Sequence, residues 1–121
     1  MALSRKGMIP ALLVGTLLQL AMVLIGHNTV AVASLFAPLG MAISLIAGFL
    51  YARWARTTRG AAVLGGAVVG GLCALIGIGV SYYLGDVTTW ILFLGTLSSA
   101  FTGAIGGLIG HVVGERAPAQ V

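Results

Sequence analysis

The sequence predicts an all-α integral membrane protein: a bundle of four transmembrane helices with both termini on the cytoplasmic side. Three observations predict it. The 121 residues are 60% hydrophobic and 7% charged, where a soluble domain carries about 25% charged residues. No acidic or basic residue falls within 7–52, 60–85 or 87–114. All six Lys and Arg residues, Arg5, Lys6, Arg53, Arg56, Arg59 and Arg116, lie outside those stretches.

A helix needs about 20 apolar residues to cross a hydrocarbon core about 30 Å thick. The first stretch is too long for one crossing, and His27 and Asn28 divide it. The spans read as 8–26, 30–52, 61–84 and 89–113, within a single membrane domain of residues 1–121. Arg5, Lys6, an apolar run and then Ala31-Val32-Ala33 mimic a cleavable signal. The run exceeds the usual 7–15-residue core of about that length in such signals, so the first span reads as retained. The single Cys73 falls within the third span and has no partner in the chain for a disulfide.

Lys and Arg collect in cytoplasmic loops. Here they mark both termini and the connection between spans 2 and 3, while the connections at 27–29 and 85–88 hold none. Both termini therefore read as cytoplasmic, in a bacterial inner membrane. Tyr82, Tyr83 and Trp90 then read as an aromatic belt at one interface, and Tyr51 and Trp54 at the other. The net charge of +4 belongs to residues flanking spans, so nucleic acid is excluded as a partner. Arg53, Arg56 and Arg59 read instead as contacts for anionic lipid or a partner's acidic patch. Arg53 and Arg56 share a face if the second helix continues past the interface.

Small residues recur at helical spacing in every span. Span 3 has Gly66, Gly70, Cys73, Gly77 and Ser81; span 4 has Ser99, Gly103, Gly106, Gly110 and Gly114. Such faces let helix backbones approach closely in lipid. The expectation is a tight antiparallel hairpin of spans 3 and 4, with Gly66/Gly70 against Gly106/Gly110. Span 1 offers Ala11, Gly15, Gln19, Met22 and Gly26, and span 2 offers Ala33, Ala37, Gly40, Ser44 and Ala47. Pro38 reads as a kink within span 2 that frees the Ser34 carbonyl.

Few residues carry chemistry. Gln19 is the one strongly polar side chain near mid-span, either a solute contact or an interhelical hydrogen bond worth about 1 kcal/mol. Thr96, Ser99 and Thr102 share a face of span 4. They read as a polar path, against the common alternative that such hydroxyls bond their own helix one turn back. His27 and Asp86 lie at the same end of the molecule, a candidate proton-handling pair, but two ligands are too few for a closed metal site. His111 lies near the opposite end, beside Glu115. No span contains Asp, Glu, Lys or Arg, and no nucleophile–base–acid set assembles on one side. No catalytic residue, metal or cofactor is expected.

Length and span count resemble those of the small multidrug transporters and the fluoride channels. The chain departs from the former where they need a carboxylate in the first span, because its most polar group there is Gln19. The six-to-zero charge asymmetry departs from the balanced charge of both, and no family is assigned. The leading expectation is an accessory or assembly subunit of a larger membrane complex, partnered by lipid and by other membrane proteins or copies of itself. The alternative is a homo-oligomeric channel or transporter for an ion or small solute, and an enzyme is the weakest reading.

Overall fold

A computed structural model describes residues 5–29 and 36–116. Those residues form four helices: α1 (Arg5–Asn28), α2 (Phe36–Ala55), α3 (Arg59–Tyr83) and α4 (Thr89–Arg116). Each is long and apolar enough to span a membrane. Residues 30–35 of the expected second span, and Ser34 with them, lie outside the described residues. Pro38 stands in the first turn of α2 as described. The expected kink, which rests on the turn before Pro38 and the Ser34 carbonyl, therefore falls outside the described residues.

The connections define two ends. The α2–α3 turn carries Arg53, Arg56 and Arg59 and lies at the same end as Arg5 and Arg116; we call it the arginine end. The hairpin end carries the α1–α2 and α3–α4 connections. At the arginine turn, α2 stops because Arg56 adopts a left-handed conformation (φ 50°). Its N–H donates to the Ala52 carbonyl at 3.3 Å, which closes the last helical turn. Arg56 therefore leaves the helical face it was expected to share with Arg53. Thr58 then caps α3, its hydroxyl accepting from the Ala61 N–H at 3.3 Å.

At the hairpin end α3 closes on Gly85 (φ 82°). The Asp86 N–H donates to the Ser81 carbonyl at 2.9 Å, and the Gly85 N–H to Tyr82 at 3.0 Å. This paired closure needs a left-handed residue, which glycine adopts without strain. It sets Asp86 immediately beyond the helix.

The α2–α3 pair forms the middle of the bundle. Helix α1 packs on one side of it and α4 on the other, and α1 scarcely touches α4. The α3–α4 interface is the most extensive. A Cβ on Gly66 would strike the Gly103 carbonyl oxygen, and one on Gly70 would lie 2.8 Å from the Gly103 Cα. The partners of Gly66 and Gly70 on α4 are thus Ser99, Gly103 and Gly107, not Gly106 and Gly110. Those two face α2, against Leu45 and Phe49. The spacing read as one stripe on span 4 is two adjacent stripes: the 99–103–107 row turns to α3, and the 106–110 row, about 60° round the helix, turns to α2.

Tyr51 corrects a second expectation. Placed by sequence in an interfacial belt, it is the largest fully buried side chain among the described residues, its ring lying where a Cβ on Gly65 would be. Trp54, by contrast, is partly exposed. Large apolar side chains such as Leu13, Leu17, Phe93, Leu97 and Phe101 face outward. The core instead consists of Ala11, Ala47, Tyr51, Val69 and Cys73. Outward bulk and inward small residues invert the soluble pattern and suit a lipid solvent.

Candidate functional site

Packing differs along the bundle axis. Toward the arginine end glycines bring backbones together: Gly7 on Ala55, Gly15 on Ala47 and Cys73, Gly48 on Gly103 and Gly107 on Ala62. Toward the hairpin end the helices stand apart around a partly open cavity of about 170 Å³. It runs from Gln19 on α1 to Val87 in the α3–α4 connection and touches all four helices. Its walls are mainly apolar, with Met22, Met41, Ile78 and Leu94 among them. Gln19, Ser81, Ser98 and Ser99 supply the polar groups.

Gln19 forms the floor. Its side chain is 1% exposed, and it fits because Gly77 on α3 has no side chain; a Cβ there would lie 2.8 Å from the Gln19 Cβ. Its Nε2 donates to the Gly40 carbonyl at 3.3 Å and to the Ser44 Oγ at 3.4 Å, and approaches the Cys73 Sγ at 4.0 Å. Ser44 donates in turn to the Gly70 carbonyl at 3.2 Å. The network ties α1, α2 and α3 together just below the cavity. A carbonyl can only accept, so the Gly40 contact fixes which end of the amide is nitrogen. The remaining group, Oε1, is an acceptor that receives no hydrogen bond from the described residues.

The expected polar path divides. Gln19 and Ser99 line the cavity. Thr96 and Thr102 do not: they donate to the Leu92 and Ser98 carbonyls at 2.7 and 2.8 Å, one turn back on their own helix. Ser81, expected only as a packing residue, is 1% exposed, and its hydroxyl has no hydrogen-bond partner among the described residues. A buried polar group without a partner is rare and costs about 1–3 kcal/mol.

His27 and Asp86 meet as expected of neighbours at one end: Nδ1 lies 2.8 Å from Oδ2, clasping the end of α1 to the α3–α4 connection. Both are partly exposed, and pairs of that kind contribute about 0.2–1 kcal/mol. His111 is half-buried on α4, far along the helix from that pair. Among the described residues no group of three or more His, Cys, Asp or Glu is placed to hold a metal. Arg53 reaches toward α4, its guanidinium 3.0 Å from where a Cβ on Gly114 would sit, while Arg56 and Arg59 are exposed. Gly77 and Ser44 were legible as small or polar positions, but their service to Gln19 has no sequence signal, because it depends on which helices become neighbours. Compared with known proteins, the chain matches no family model, no curated protein and no solved structure.

Proposed function

We propose that this chain is a multi-pass membrane protein without catalytic activity that binds a small solute between its helices, in the manner of a small channel or transporter acting alone or as copies of itself. The carrying observation is the cavity from Gln19 to Val87, with a polar floor and apolar walls. An accessory or assembly subunit, the leading expectation from sequence, needs closed helix faces that fasten to a partner. A cavity kept among all four helices is idle in such a protein and useful in one that receives a solute. The absence of Asp, Glu, Lys and Arg from 7–52 and 87–114 favours an uncoupled process over an ion-driven pump.

The outward Leu, Ile and Phe side chains support membrane insertion, and the positive-inside rule supports an arginine end in the cytoplasm. Arg53, Arg56 and Arg59 then lie among anionic headgroups, and the cavity lies in the opposite, non-cytoplasmic half. A thiol reagent that cannot cross membranes should label Thr88→Cys and spare Thr58→Cys in intact cells; the reverse pattern would invert this orientation.

The functional reading is tested by extraction in mild detergent followed by mass spectrometry of the intact particle. The expected particle contains this chain only, as one or more copies. A fixed stoichiometry with other proteins would sink the solute-binding reading and restore the accessory-subunit one.

A further inference from the structure

We propose that the cavity binds an uncharged molecule of about benzene size, with an apolar body and one hydroxyl group that bridges Gln19 Oε1 and the Ser81 hydroxyl. The inference rests on the solute-binding reading above and names its ligand class. Size comes first. An apolar cavity of about 150 Å³ admits benzene, and this one is about 170 Å³. Charge comes second. No ionisable side chain lines the cavity among the described residues, so an ion there would lack compensation.

The polar groups select the hydroxyl. Both hydrogens of Gln19 Nε2 face Gly40 and Ser44, so the floor offers an acceptor and demands a donor. A Cβ on Gly77 would lie 3.5 Å from Gln19 Oε1, and Ser81 stands one helical turn beyond Gly77. Gln19 and Ser81 line the same cavity, so one ligand oxygen, with O–H···O hydrogen bonds of about 2.7–2.8 Å, can serve both groups. The ligand hydroxyl donates to Gln19 and accepts from Ser81. The unpartnered Ser81 hydroxyl thereby gains the hydrogen bond it lacks, while Met22, Met41 and Ile78 enclose the apolar body.

The chain's methionines report on this site directly. Met22 and Met41 line the cavity, and Met8 lies about four turns from Met22 toward the arginine end of α1. We would titrate protein carrying ¹³C-methyl methionine, in lipid nanodiscs, with phenol and with its methyl ether, anisole. The expected result is saturable shifts at Met22 and Met41, none at Met8, and phenol binding about fivefold or more tighter than anisole. Ser81→Ala should weaken phenol, with thermal stability kept, since that hydroxyl bonds nothing in the fold. Equal affinities for the two probes would overturn the hydroxyl assignment and leave the solute-binding reading standing. Shifts that follow the acyl chains of the nanodisc rather than either probe would overturn the ligand class in favour of a lipid chain. No saturable shift at Met22 or Met41 with either probe would remove the site and the reading beneath it.

Discussion

Gly103→Leu should abolish the native thermal transition or lower stability by about 3 kcal/mol or more, beyond ordinary overpacking. Three helices converge on this residue. A Cβ there would meet the Gly66 carbonyl oxygen and come within 2.9 Å of the Gly70 Cα, while Gly48 of α2 abuts its carbonyl. These neighbours are backbone, so no side-chain rotation relieves the clash. Relief requires α4 to withdraw from α2 and α3 together, and much of the bundle's packing goes with it. Gly79→Leu is the matched control, because a Cβ on Gly79 meets nothing within 4 Å. Detergent-solubilised Gly79→Leu should melt near the wild-type temperature. A Gly103→Leu protein that does the same would refute the close-packing account.

Tyr51→Ala should destabilise the protein by about 3–5 kcal/mol, the cost of truncating a buried aromatic side chain to alanine. Tyr51 is fully buried in the closed half of the bundle, against Gly65. The two residues form a ring-and-notch pair: Gly65→Ala places a methyl group on the Tyr51 ring. The paired substitutions are therefore coupled. Tyr51→Ala with Gly65→Ala should be more stable than the sum of the single losses, by about 1 kcal/mol or more. Strict additivity in thermal or denaturant melts would mean that the ring and the notch do not meet.

Much of the fold was legible in the sequence because lipid leaves few options. Charge-free stretches of sufficient length and basic residues confined to one set of ends predict four spans, and four helices of that character are present. The buried faces were legible too, since Ala11, Gly15 and Gln19 recur at steps of four and turn inward together. Partner choice was not legible. Steps of three and four both stay within a broad helical stripe, so Gly103 and Gly106 look alike in sequence although one faces α3 and the other α2. Tyr51 was misplaced for a related reason. Its nearness to Arg53 resembles an interfacial position, and only the notch at Gly65 on another helix shows that the ring turns inward.

The candidate site was half legible. Gln19 stood out by polarity alone. Ser81 did not, because a serine in a row of glycines reads as one more small residue; its difference lies in a missing hydrogen bond. Thr96 and Thr102 stood out for the opposite reason, as hydroxyls in an apolar helix, yet their own carbonyls satisfy them.

The most direct measurement is thiol reactivity along α3, using the small uncharged reagent methyl methanethiosulfonate and intact-mass detection. Native Cys73 is buried beneath Gln19 and donates to the Gly70 carbonyl at 3.4 Å, so the unmodified protein should take up no adduct under native conditions. Ser81→Cys should take up one, at position 81 and not at 73, because the cavity reaches that side chain. A Ser81→Cys protein as inert as native Cys73 would mean that no solute reaches the space between the helices.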